Sequence, residues 1–123
     1  MQLLLVEDEV AIRDYMRDAL ETAGYNVVVA GDGLEAMHRL AECRPFVVIL
    51  DQVLPLLSGG EVYQTMQNTP ELEHVPVVIT TSDPATSPPG VPSLAKPVDM
   101  EVLLRMIARV AHGHEGTMPG SGA

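Results

Sequence analysis

Four short apolar runs each stop at side chains that can do chemistry. Gln2 to Val6 runs into Glu7-Asp8-Glu9, and Val47-Val48-Ile49-Leu50 runs into Asp51. Val75 to Thr80 delivers Thr81-Ser82-Asp83, and Val91 to Ala95 ends at Lys96-Pro97. Carboxylates brought close in a partly buried site repel one another, or keep a proton. A hard cation relieves the repulsion, and Mg²⁺ favours one or two carboxylates together with water and phosphate oxygens. Lys96 adds a positive charge for a phosphoryl oxygen, and Thr81 adds a hydroxyl donor. A metal, a fixed cation and a donor are the parts that phosphoryl transfer requires, and an aspartate is a competent nucleophile for it.

Each residue also has a plainer reading. Asp51 suits a helix N-cap or a turn. Glu7 and Asp8 suit the positive end of a following helix. Thr81 suits an N-cap, and Lys96 a solvated surface. The argument rests on their meeting on one rim, so the elements that carry them decide it.

Those elements alternate. Gln2–Val6, Asn26–Ala30, Val47–Asp51, Val75–Thr80 and Val91–Ala95 read as strands, mostly β-branched and apolar. Between them Val10 to Ala23 carries an amphipathic stripe of Ala11, Ile12, Tyr15, Met16, Ala19, Leu20 and Ala23, closed by Gly24. Leu34 to Glu42 is a second helix, with Asp32 placed to cap it. Gly60 to Asn68 is a third, ended before Pro70. Val98 to Ala111 is the last. Residues 112–123 are rich in Gly and polar residues and read as a flexible tail behind a domain at 1–111. Alternating strands and helices predict an α/β doubly wound parallel sheet, which presents its ligands at the carboxyl ends of its strands.

Composition narrows the function. The 123 residues carry a formal net charge of -10, which argues against nucleic acid and anionic membranes as partners. No run reaches the length of a membrane span, and the N-terminus lacks the pattern of a signal peptide. The single cysteine, Cys43, excludes an internal disulfide and suits a reducing cytoplasm. His112 and His114 sit in a Gly-containing stretch that does not read as a metal site.

Four motifs in order resemble the receiver domain of two-component response regulators, a family that includes the chemotaxis regulator. They are Leu5-Val6-Glu7-Asp8-Glu9, Ile49-Leu50-Asp51 with Pro55 and Gly59 following, Pro76-Val77-Val78-Ile79-Thr80-Thr81, and Lys96-Pro97. The resemblance covers residues 2 to about 111. It implies a flavodoxin-like sheet with strand order 2-1-3-4-5. It also implies that Asp51 accepts a phosphoryl group from a phosphohistidine of a sensor histidine kinase or histidine phosphotransfer protein. Asp8 and Glu7 would hold Mg²⁺ with Asp51 and the backbone carbonyl of Val53, while Thr81 and Lys96 hold the phosphoryl oxygens. The domain would act as a switch in a phosphorelay, catalysing only its own phosphorylation and dephosphorylation.

Two departures from the family pattern stand out. The position three before the lysine, usually aromatic, is Ser93. The stretch Asp83-Pro84-Ala85-Thr86-Ser87-Pro88-Pro89-Gly90 leaves room for one helical turn at most, so the family's fourth helix is expected to be missing or vestigial. A thinner cover over the fourth and fifth strands would expose apolar surface, and a homodimer or a docked partner is expected at that edge. A pseudo-receiver, the same fold working as a phosphorylation-independent interaction module, is the alternative. A haloacid-dehalogenase-like phosphotransferase would want a second Asp where Val53 stands, and a flavodoxin would want a phosphate loop after the first strand.

Overall fold

The computed structural model describes residues 1–116 and the side chains of residues 1–112. Five strands, β1 (Gln2–Val6), β2 (Asn26–Ala30), β3 (Val47–Asp51), β4 (Val77–Thr81) and β5 (Ser93–Ala95), form one sheet in the order β2-β1-β3-β4-β5. All neighbouring pairs are parallel. Helices α1 (Val10–Thr22), α2 (Gly33–Cys43), α3 (Gly59–Gln67) and α4 (Met100–Gly116) supply the crossovers and the closing element. The sheet is the flavodoxin-like doubly wound fold that the resemblance implied.

Period-two alternation along the buried strands divides the core into two layers. Leu4, Val6, Val48, Leu50, Val77 and Ile79 pack with Ala36 and Leu40 of α2 and Val62 and Met66 of α3. Leu3, Leu5, Val47, Ile49 and Val78 pack with Met16 and Leu20 of α1 and Leu103 and Ile107 of α4. Both faces of β3 are therefore covered, which is why its sequence is a continuous apolar run rather than an alternating one.

Local chemistry fixes the helix ends. The Asp32 carboxylate accepts from the Glu35 N–H at 2.7 Å, as its position before α2 predicts. Ser58 and Glu61 form a reciprocal capping box at α3: the Glu61 N–H donates to Ser58 Oγ at 3.1 Å and the Ser58 N–H to Glu61 Oε1 at 2.9 Å. Gly24 closes α1 at a φ of +103°, a conformation other residues rarely adopt. Gly59 has a steric role. A Cβ there would lie 2.2 Å from the Asp51 carbonyl oxygen, so the start of α3 packs directly on the end of β3.

Several boundaries differ from the sequence reading, mostly at prolines. β4 begins at Val77 and extends through Thr81, because Pro76 has no N–H to give the ladder, although its carbonyl accepts from Val48. β5 is cut to Ser93–Ala95 in the same way by Pro92, whose carbonyl accepts from Ile79. α4 starts after Asp99, whose carboxylate accepts from the Glu101 N–H at 2.9 Å, and continues past Ala111 to Gly116. The tail expected from residue 112 thus begins inside a helix, and residues 117–123 lie outside the described part. α1 is also rotated relative to its expected stripe. Met16 and Leu20 are buried, while Ile12 and Tyr15 face solvent.

The connection between β4 and β5 contains no α-helix. One 3-10 turn, Pro84–Thr86, stands in its place, with Asp83 accepting from the Ala85 N–H at 3.2 Å. The expected vestige is thus a single 3-10 turn, and the described residues contain four α-helices. Among the described residues, the apolar surface expected at this edge is not carried by exposed large side chains. Val10, Ile12, Tyr15, Leu34, Val53 and Leu56 are exposed large apolar residues, and none belongs to β4 or β5. Apolar surface near that edge is recessed into a groove of about 310 Å³ between Pro76, Val77, Pro92, Met106 and Val110.

Candidate functional site

Parallel pairing carries the polar residues to one end. Val6 pairs with Leu50, so Glu7 and Asp51 emerge side by side. Asp51 pairs with Thr80, and Thr81 with Ala95, so Lys96 leaves β5 at the same level. Glu7 and Asp51 continue the alternation of Leu3, Leu5 and Ile49 toward the layer containing α1 and α4. A cis peptide joins Lys96 to Pro97.

The carboxylates converge. Glu7, Asp8 and Asp51 each place an oxygen within 4.8 Å of the others. Glu7 is 1% exposed and Asp51 3%, whereas Asp8 faces solvent at the mouth. Lys96 Nζ lies 2.7 Å from Asp51 Oδ2 and 3.2 Å from Glu7 Oε1. The remaining oxygens meet backbone donors: Glu9 N–H reaches Glu7 Oε2 at 3.1 Å, and Val53 N–H reaches Asp51 Oδ1 at 3.2 Å.

This arrangement sets the charges. Burial pushes the Glu7 carboxyl above its ordinary range; the Glu9 N–H opposes that, Asp51 adds to it, and Lys96 opposes it. Burial also works against the Lys96 ammonium. The hydrogen bond to Asp51 and the charges of Asp51 and Glu7 outweigh it and hold Lys96 above the usual lysine range. Lys96 therefore stays charged at neutral pH and ties two buried carboxylates together.

The donor set fits a hard divalent cation: three carboxylates, two buried and one open to water, with no sulfur or imidazole among them. Thr81 is buried close by, but its hydroxyl is engaged elsewhere. It accepts from the Asp83 N–H at 3.1 Å and faces the Asp83 carbonyl at 3.4 Å. Val53 points its side chain to solvent, 72% exposed. The structure thus brings Glu7, Asp8, Asp51 and Lys96 together and sets Thr81 and Val53 at the border. Sequence reasoning passed over Glu9, whose N–H supports Glu7, and Gln52, whose side chain crosses to Thr86. Backbone donors carry no sequence signal, and a lone glutamine in a connection carries none either.

A doubly wound sheet with this acidic cluster and lysine at its carboxyl end defines a receiver-type domain. The family model described as the response regulator receiver domain matches residues 3–108, and the chain belongs to that family. Among curated proteins, the response regulator MprA of Mycobacterium avium is 34% identical over 87 residues, 71% of this chain. That stretch is 37% of MprA, so the chain spans well under half the length of the curated relatives it matches. Among solved structures, the chemotaxis response regulator CheY4 of Vibrio cholerae is 30% identical with a TM-score of 0.79, covering 89% of this chain and 97% of that one. The signal receiver domain of a signal transduction histidine kinase from Syntrophus aciditrophicus is 27% identical with a TM-score of 0.86, covering 95% and 94%.

Proposed function

We propose that the chain is a phosphoacceptor switch and that Asp51 takes the phosphoryl group. The observation that supports this most directly is Lys96 Nζ bridging Asp51 and Glu7 beside the three-carboxylate cluster. An Asp51 carboxylate oxygen attacks the phosphorus of a phosphohistidine, the P–N bond breaks, and the departing imidazole recovers a proton. Lys96 supplies positive charge to the phosphoryl oxygens as negative charge spreads over them. Val53 N–H keeps the other Asp51 oxygen in place. Glu7, Asp8, Asp51 and the Val53 carbonyl would hold Mg²⁺, which when bound offsets the charge of the incoming group. Thr81 supplies a hydroxyl donor once it leaves Asp83.

The donor in this reading is a sensor histidine kinase or a histidine phosphotransfer protein, and the chemistry is limited to the domain's own phosphorylation and hydrolysis. Ser93, standing where an aromatic side chain is usual, favours a second reading, the pseudo-receiver. Among the described residues no helix is long and apolar enough to cross a membrane. A net charge of -10 disfavours nucleic acid, and a cytoplasmic setting fits both that charge and the lone thiol.

Acetyl phosphate with Mg²⁺, followed by intact mass, tests the reading beside Asp51→Asn. A gain of one phosphoryl mass that needs both Asp51 and Mg²⁺ supports it. A gain that persists in Asp51→Asn defeats it, and no gain from either acetyl phosphate or a phosphorylated histidine donor leaves the pseudo-receiver.

A further inference from the structure

The side chain of Gln52 reaches across 34 residues of sequence. Its Nε2 donates to the Thr86 carbonyl at 3.0 Å and to Thr86 Oγ1 at 3.1 Å. The Thr86 hydroxyl in turn donates to the Asp83 carbonyl at 2.8 Å. The Asp83 N–H donates to Thr81 Oγ1, and the Gln52 N–H donates to the Thr80 carbonyl at 2.9 Å. These bonds close a ring through Gln52, Thr86, Asp83, Thr81 and Thr80. One side of the ring is the residue after the acceptor; the other is the 3-10 turn that replaces a helix.

We propose that Gln52 is a positioning residue that latches the Pro84–Thr86 turn to the acceptor strand in the unmodified arrangement, and that this latch opposes the rearrangement in which the Thr81 hydroxyl turns to a phosphoryl group on Asp51. The proposal rests on the phosphoacceptor reading. The Thr81 hydroxyl has one proton, now turned toward a neutral carbonyl at 3.4 Å. An anionic oxygen on Asp51 is a charge-assisted acceptor and roughly twice as strong a partner. When Thr81 turns to it, the Asp83 N–H loses its acceptor and the turn loses one of its hydrogen-bonded anchors. Gln52 is another anchor, and it holds the turn in the unmodified arrangement. Ser93 offers no aromatic ring to carry the change. The exposed turn residues Pro84, Ala85 and Thr86 carry it to the surface instead.

A contact made only in the unmodified state opposes modification by as much as it stabilises that state. Removing it must favour the modified form. Beryllofluoride with Mg²⁺ serves as the phosphoryl mimic, titrated into the 123-residue chain as wild type, Gln52→Ala and Thr86→Val. Amide NMR of Ala85, Thr86 and Ser87 follows the turn. The wild-type turn amides are expected to move on binding. Gln52→Ala is expected to bind about fivefold tighter, the loss of one ordinary hydrogen-bond contribution. Its turn amides should start near the bound wild-type positions, and Thr86→Val should move the same way. A merely structural role for Gln52 would weaken binding, so equal or weaker affinity in Gln52→Ala beside a wild type that binds overturns the latch. A wild type that binds no beryllofluoride overturns the phosphoacceptor reading, and the latch with it.

Discussion

Lys96 Nζ is 2.7 Å from Asp51 Oδ2 and 3.2 Å from Glu7 Oε1, so a single ammonium bridges two carboxylates that are almost wholly buried. Lys96→Met leaves them facing each other uncompensated. The Lys96 side chain keeps 24% of its exposure, which lets water share the charge and holds the cost below that of a fully buried pair. The variant is expected to lose about 2 kcal/mol in urea unfolding with chelator present. Mg²⁺ should recover more stability in the variant than in wild type, since the cation takes over the ammonium's role. An unchanged unfolding midpoint would mean the bridge is not formed in solution.

Asp8 is the exposed member of the acidic cluster, so its removal tests cation binding without disturbing the core. At tenfold excess over the dissociation constant, Mg²⁺ should stabilise the wild type by about 1.4 kcal/mol. Asp8→Asn is expected to fold as well as wild type and to lose most of this gain. Melting temperature against Mg²⁺ concentration measures both, and an equal rise in the two proteins would remove Asp8 from the site.

Gly59 lies where a Cβ would come within 2.2 Å of the Asp51 carbonyl oxygen and 2.8 Å of Gln52 Cα. Both neighbours are backbone, so neither can turn aside. Gly59→Ala is expected to destabilise the fold by about 3 kcal/mol and to shift the main chain at Asp51. Slower uptake of a phosphoryl group should accompany the loss of stability. Near-wild-type stability would show that α3 can slide away from β3.

Val53 is 72% exposed at the mouth of the site and has no side-chain hydrogen-bonding group to orient a water there. The acyl phosphate should therefore hydrolyse slowly. Val53→Asn, which restores a polar side chain, is expected to shorten its lifetime several-fold. Loss of the phosphoryl mass over time gives the rate directly, and equal rates in the two proteins would remove the argument.

Cys43 is half-buried at the end of α2. Burial pushes its thiol up, Glu42 adds to this, and Arg39 opposes it. The thiolate is then scarcer at pH 8 than in a free cysteine, and alkylation by iodoacetamide should be slower and still rising above pH 9. Glu42→Gln removes one raising influence and should speed the reaction. The folded state retains the thiol proton where the unfolded chain has lost it. Cys43 thus contributes stability below the unfolded thiol's pKa, and that contribution is lost as the pH rises through the folded one. Wild-type alkylation as fast as that of a small thiol at pH 8 would contradict the shift.

The sheet was legible because β1, β3 and β4 are buried on both faces and must be written as unbroken apolar runs ending in a polar residue. That is also why Asp51 and Glu7 could be placed on one rim, whereas Lys96 follows a short, half-buried edge strand and was placed there by the alternation of strands and helices alone. Strand limits at Pro76 and Pro92 were not legible: those residues look like strand in hydropathy but lack the N–H that pairing needs. The stripe of α1 misled for another reason. Ile12 and Tyr15 have apolar spacing, yet they line an open groove with Lys96, Pro97 and Val98 instead of the core. The bond between Gln52 and Thr86 depends on how a proline-rich connection folds back, and no local pattern encodes that.

β3 is paired on both sides and buried at every position, whereas β5 is three residues long and paired on one side only. Asp51 and its counter-charge Lys96 therefore belong to opposite ends of the sheet's local stability. Native-state hydrogen exchange should find the β3 amides opening only with the whole domain, and those of β5 opening well below that limit. Asp51 stands on the strand expected to open last, and Lys96 follows the strand expected to fray first. Exposure of the Asp51 carboxylate is thus separable from unfolding of the domain that carries it.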